Sequence, residues 1–299
     1  MTGSASSRRV GLVRRWLVRG AFTLASLAVL SLLYVFGMSE WLLRRPHHVP
    51  LDSLPAQSAD DPAEGERLAV IVGCWAGCHG IRGEGDTLEG GPAFQITAPT
   101  LSQVVPEYSD AELVRLIRYG VRRDGRSAAG MVARTFYPLS DRDLTLIIAH
   151  LRRAPAAPPV NRTRHITLIG RAALATGKWH LSADEVDGSK ARWGELPRRT
   201  PYEKGRYLAS ITCSECHGLD YTGNEFEGGP SLLLVARYDF AQFRHLLRTG
   251  EPIGGRDLGI MTWVAKNAFY RFTEDEIWSI YVFLRTTLGL PVSEDGLTT

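Results

Sequence analysis

Residues 20–39 (GAFTLASLAVLSLLYVFGMS) carry no charged side chain, and twenty such positions suffice for one membrane-crossing helix. Beyond this run, apolar residues recur at helical spacing, and the pattern occurs twice. Leu113, Leu116 and Ile117 share one helical face, as do Phe240, Phe243, Leu246 and Leu247. A later stripe at i, i+3, i+4, i+7 (Leu144, Ile147, Ile148, Leu151) is matched by Ile277, Ile280, Tyr281 and Leu284. Start signals accompany the stripes. Ser109-Asp-Ala-Glu112 is a capping box, and Ser140-Asp-Arg-Asp143 and Thr273-Glu-Asp-Glu276 open the final helices. Gly65-Glu-Arg-Leu68-Ala69 and Gly205-Arg-Tyr-Leu208-Ala209 read as shorter helices that begin each unit. No strand pattern competes within the units, so the expected fold class is all-α and duplicated.

The expected organisation is a basic cytoplasmic segment at 1–19, a transmembrane anchor at 20–43 and a tether at 44–62, rich in Pro, Ser and Asp. A first unit follows at 63–153, then a connector at 154–200 and a second unit at 201–299. The connector opens with Pro155, Pro158 and Pro159 and holds short apolar stretches at 166–169 and 172–175. It reads as ordered chain packed between or across the units. Residues 1–45 contain seven Arg against Glu40, a charge of +6, which leaves the other 254 residues at −3 within a total of +3. The basicity belongs to the N-terminus, and nothing points to nucleic acid. Trp16 and Trp41 bracket the apolar run as interfacial aromatics. Five Arg precede it and two follow, which favours an N-terminus inside and a body outside. A cleaved signal peptide is the competing reading, although the chain after Phe36 offers no convincing small-x-small cleavage site and the apolar run is long for a signal peptide. Either way the body is exported.

The candidate chemistry lies in two short motifs. Cys213-Ser-Glu-Cys216-His217 has the spacing for a covalently attached c-type haem: two thiols for thioether bonds and an imidazole as proximal iron ligand. Cys74-Trp-Ala-Gly-Cys78-His79 is a near copy with one extra residue between the thiols. Gly77 is expected to help loop that residue out, through backbone angles closed to other residues. The two motifs use all four cysteines, leaving none for a disulfide, a nucleophile or a thiolate ligand. Closed structural zinc needs four ligands, and each cluster offers three.

The sixth iron ligand separates electron carriers from oxygen or peroxide chemistry. Apart from Met1 and Met38, the chain has only Met131 and Met261, each 11 residues after the glycine of an Arg-x-Gly (Gly120, Gly250). A buried methionine is ordinarily core filler. The shared register favours the distal ligand instead. His47 and His48 fall in the tether, His165 and His180 in the connector, and His150 and His245 on helices, where a satisfied histidine is the ordinary case. Each proximal histidine needs an acceptor for its other ring nitrogen. Pro99-Thr-Leu101 and Pro230-Ser-Leu232 are the candidates; Pro92 competes in the first unit, but Pro99 is preferred because its register continues through the helix, the Arg-x-Gly and the Met.

In this order (Cys-x-x-Cys-His, Pro-x-Leu, helix, Arg-x-Gly, Met, final helix) residues 63–153 and 201–287 each resemble a class I cytochrome c domain. The tandem behind one membrane helix is similar to dihaem cytochromes of bacterial respiratory chains, including cytochrome subunits of membrane-bound dehydrogenases. The resemblance implies two covalent haem c groups, with thioether links at Cys74, Cys78, Cys213 and Cys216. It implies His79 and His217 as proximal ligands, Met131 and Met261 as distal ones, and Gly65 and Gly205 at close crossings of first and last helices. It further implies a single-pass protein of the bacterial inner membrane with its haem domains in the periplasm. Its function would be to relay single electrons between a respiratory dehydrogenase or quinol-linked complex and a downstream acceptor such as an oxidase. A dihaem redox enzyme with an open first haem is the alternative, so whether the chain is itself an enzyme stays open, with a carrier favoured.

Overall fold

Helix α1 spans Ser4–Arg44, 41 residues or about 60 Å at 1.5 Å per residue, and is long and apolar enough to cross a membrane. The computed structural model describes residues 4–52, 54, 61–75, 77–190, 192–224 and 228–292. Much of the tether (53 and 55–60), Ala76 of the first motif and the end of the second unit (293–299) lie outside the described residues.

The first unit contains helix α2 (Pro62–Ile71), strands β1 (Asp86–Gly90) and β2 (Phe94–Ala98), and helices α3 (Leu101–Val104), α4 (Asp110–Tyr119), α5 (Ala133–Phe136) and α6 (Asp141–Leu151). The connector contributes β3 (Arg164–Ile166) and α7 (Leu168–Ala175). The second unit holds α8 (Pro201–Thr212), α9 (Ser214–His217), α10 (Phe240–Thr249), α11 (Ile260–Asn267) and α12 (Glu274–Thr287). Local chemistry sets these limits. Ser109 and Asp239 close capping boxes with Glu112 and Gln242 at the starts of α4 and α10, while Gly120 and Gly250 end both helices in the left-handed conformation. In each unit the first helix packs on the last, α2 on α6 and α8 on α12. The contact is close because a glycine lies in it. A Cβ at Gly65 would stand 2.5 Å from the Leu146 carbonyl oxygen, and one at Gly205 1.8 Å from that of Ser279.

The expectation of an all-α chain needs one correction. β1, β2 and β3 form an antiparallel sheet in that order, with Leu88 opposite Ile96 and Gln95 opposite His165. Its signal is a period of two over five residues: Ile96 and Ala98 are buried and Gln95 is exposed, and Gly90-Gly91-Pro92 makes the turn. A pattern so short does not stand out beside the helical stripes.

The connector has two roles. Its first half ties α1 to the first unit: α7 packs along α1, and Leu43, Ile96, Leu174, Trp179 and Leu181 form a small core of their own. Its second half lies between the units, where Gly194 N donates to the Pro138 carbonyl at 2.9 Å and Arg206 of α8 stacks 4.4 Å over the Trp193 ring. The remaining core is continuous, running from Leu68, Val114 and Ile147 to Leu208, Ile277 and Tyr281.

A buried polar node joins the units. Asp143, at the start of α6, is 5% exposed and accepts from Tyr207 Oη of α8 at 2.6 Å and from Arg198 at 3.2 Å. Beside it Arg67 of α2 holds Glu276 of α12 at 2.8 Å. Tyr207→Phe takes one donor from a buried carboxylate, and its expected cost is about 2 kcal/mol. Urea unfolding of the parent and variant chains checks this as a lower midpoint at unchanged slope.

Candidate functional site

The second motif is a single helical turn. α8 ends at Cys213, α9 carries Ser214–His217, and His217 N closes the turn on the Cys213 carbonyl at 3.0 Å. His217 Nδ1 lies 2.6 Å from the Pro230 carbonyl. A carbonyl only accepts, so Nδ1 is the donor, and the lone pair of the neutral ring resides on Nε2. Burial, partly offset by Pro230, lowers the His217 pKa and keeps the ring in that neutral form at pH 7. Gly229 lets the backbone pass: a Cβ there would be 1.9 Å from the Cys216 carbonyl oxygen.

The first motif reaches a similar result by a wider turn. Cys78 N bonds the Gly73 carbonyl at 3.3 Å, a five-residue closure of the type by which one inserted residue is absorbed into a helical turn. The part expected of Gly77 is corrected here. The left-handed angle belongs to Gly73 (φ +75°), whereas Gly77 provides room, since a Cβ there would meet the Gly73 oxygen at 2.2 Å. Trp75 packs edge-on against His150 at 4.8 Å. His79 Nδ1 lies 2.9 Å from the Pro99 carbonyl, while the Pro92 carbonyl accepts from Thr167 at 2.7 Å. Burial lowers the His79 pKa, again partly offset by the proline carbonyl.

The loops after the histidines close in the same register. Gly85 N and Gly223 N donate to the His79 and His217 carbonyls at 2.8 and 3.0 Å. Leu101 N and Leu232 N donate to the Gly83 and Tyr221 carbonyls at 2.8 and 2.9 Å. Gly83 has φ +71°, which glycine adopts freely. Its counterpart Tyr221 has φ +63°, strained for an aromatic residue, and its ring packs edge-on against Phe283.

Burial, then Cys78 and Glu215, push the Cys74 pKa up to about 12; burial pushes Cys213 up to about 11, against a hydrogen bond from Thr212. Both are protonated at neutral pH, so neither acts as a ready nucleophile. Met131 and Met261 are half-buried against the main core, Met131 just before α5 and Met261 in the first turn of α11. Of the other histidines, His245 lies 3.2 Å from Glu251 and His47 3.7 Å from Asp184, while Nε2 of His47 and of His150 is buried without a hydrogen-bond partner. His165 sits in β3, and His48 and His180 are exposed. Among the described residues no three Cys, His, Asp or Glu side chains converge as a bare-metal cage.

The two motifs are neighbours. Glu215, between Cys213 and Cys216, is close enough to raise the Cys74 pKa. Its carbonyl accepts from Arg134 of α5 at 3.5 Å and from Asn224 at 3.1 Å. Sequence reasoning missed Arg134, Glu215, Asn224 and Tyr221, because no residue pattern announces a contact between units. Compared with known proteins, the chain matches no family model and no curated protein.

Proposed function

We propose that this chain is a membrane-anchored dihaem c-type cytochrome that relays single electrons between a dehydrogenase or quinol-linked complex and a downstream redox protein. The observation that carries the reading is the repeated pairing of a Cys-Cys-His motif with a histidine whose Nδ1 is held by a proline carbonyl, at His79–Pro99 and His217–Pro230. The residues suit a haem at each site. Cys74, Cys78, Cys213 and Cys216 would carry it as thioethers, and His79 and His217, through Nε2, with Met131 and Met261 would hold the iron. A haem held between His and Met supplies a one-electron Fe(III)/Fe(II) couple and tends to a raised potential.

The chain's own residues do the rest. Pro99 and Pro230 fix the tautomer and ring orientation. The shared core and the Asp143–Tyr207 node hold the units in one arrangement, with Arg134 and Glu215 bringing the motifs together, as a relay requires. The acidic body suits a basic soluble partner. Under this reading α1 is the anchor, its N-terminus cytoplasmic and the rest exported.

Intact-mass analysis of protein made in a strain with c-haem maturation is the test. Two covalent haems per chain are expected, and Cys213→Ser/Cys216→Ser should leave one. A single haem in the parent chain would overturn the relay. Carbon monoxide binding to either ferrous haem would favour the open-site enzyme.

A further inference from the structure

Four arginines from three separate stretches of chain gather where α1 leaves its charge-free run. Pro46 pairs with Arg126 as an antiparallel bridge, and His47 N donates to the Gly125 carbonyl at 2.8 Å. These bonds seat the turn bearing Arg122 and Arg126 at the foot of the helix. Arg164 stands opposite Ile96 in the sheet, and Ile96 shares a core with Leu43 of α1. Arg171 of α7 donates to Ser39 and Glu40 at 3.0 and 3.2 Å.

The acids nearby do not balance this charge. Glu40 is shared between Arg44 and Arg171, and Asp124 serves Arg122 at 3.3 Å. Among the described residues no carboxylate pairs with Arg126 or Arg164, and Arg122 Nε is buried without a partner. Partial desolvation and the fields of Arg122, Arg126 and Arg171 depress the Arg164 pKa, with Glu40 opposing. The cluster therefore repels itself.

Its depth is set by α7. Tyr34 Oη donates to the Ala175 carbonyl at 3.4 Å and Arg171 stacks 5.0 Å from the Phe36 ring centre, so α7 runs beside the last turns of the span. It runs antiparallel to α1, so Ala175 lies deepest and Arg171 stands level with the end of the charge-free run. Guanidinium groups without carboxylate partners just past the charge-free run of a spanning helix lie at the level of lipid phosphates. The orientation favoured by the N-terminal arginines puts this cluster on the exported side, where basic residues are ordinarily sparse, so it calls for a reason of its own.

We propose that Arg122, Arg126, Arg164 and Arg171 bind the phosphate of an anionic phospholipid in the leaflet into which α1 emerges. The phosphate oxygens accept guanidinium hydrogen bonds and remove the mutual repulsion. Bound lipid fixes the tilt of the body on the membrane. The inference rests on α1 crossing a bilayer, and is independent of what the Cys-Cys-His motifs hold.

The test is native mass spectrometry of the full chain in mild detergent, with phosphatidylglycerol and phosphatidylcholine of identical acyl chains. Phosphatidylglycerol should be retained about tenfold over phosphatidylcholine, and its apparent affinity should fall about fivefold for each arginine removed in R122S, R126S and R164S. These side chains are wholly or partly exposed, and an unchanged far-ultraviolet circular dichroism spectrum checks folding. The comparison of lipids in the parent chain does not depend on the variants. Equal retention of the two lipids, unchanged retention in the triple variant, or displacement of the lipid by inorganic phosphate would each overturn the site. Failure of the anchor reads differently: the chain would wash from membranes in alkaline carbonate.

Discussion

Gly205→Ala is expected to destabilise the second unit by about 3 kcal/mol, the upper part of the usual cost of overpacking. The sign is the informative part. In an exposed helix interior the same substitution stabilises by roughly 1 kcal/mol, because alanine loses less backbone entropy. Here the added carbon would lie 1.8 Å from the Ser279 carbonyl oxygen, 2.4 Å from its carbon and 2.8 Å from Phe283 Cβ. All are backbone or near-backbone atoms, so relief requires α8 and α12 to separate. Because Cys213 ends α8, separation also moves the attachment motif. Gly65→Ala should act in the same direction but less, its nearest atom being the Leu146 oxygen at 2.5 Å. Gly188 has nothing within 4 Å of an added Cβ, and Gly188→Ala should change stability by less than about 0.5 kcal/mol. Thermal and urea unfolding of the three variants decide the matter. A Gly205→Ala chain as stable as its parent would mean that the helices do not cross closely at this glycine.

Arg118→Met should cost about 3 kcal/mol, the scale on which breaking a buried ion pair is felt. The Arg118 side chain is 1% exposed and donates to the Leu139 carbonyl at 2.8 Å and to Asp141 at 2.6 Å. Methionine keeps much of the stem's packing but leaves that carbonyl without its donor, while Asp141 retains Arg192 at 3.5 Å. The arginine joins the end of α4 to the start of α6 and so closes the segment that carries Met131. Arg248 does the same around Met261, bonding the Tyr270 carbonyl and Glu274. Its side chain is 26% exposed, so solvent screens the pair and Arg248→Met should cost about 1 kcal/mol. Unfolding midpoints of the two variants test the asymmetry. Equal losses would show that burial does not set the difference.

The motifs Cys74–His79 and Cys213–His217, the caps at Ser109 and Thr273, the left-handed ends at Gly120 and Gly250 and the apolar run of α1 were all legible in the chain. Apart from the apolar run, which depends on composition alone, each depends on residues within about one or two helical turns, where spacing and side-chain chemistry settle the outcome. The duplication was legible for the same reason, because Met131 and Met261 each follow an Arg-x-Gly by 11 residues. Even the choice of Pro99 over Pro92 came from register.

Tertiary structure alone decided the rest. The β1–β2 hairpin is held as a sheet partly by β3, which arrives from the connector some 70 residues later, so its period of two carries little weight on its own. The left-handed angle expected of Gly77 falls to Gly73, and Gly77 provides room instead, because close approach depends on where the backbone returns. Tyr221 takes an angle that its side chain disfavours, in a register that the second unit shares with the first. The Asp143–Tyr207 node, the Arg134–Glu215 contact and the arginine cluster at the foot of α1 each join residues distant in sequence. Local propensity determines the elements and the motifs they carry; which units touch, and which like charges are forced together, is set only when those elements bury a common surface.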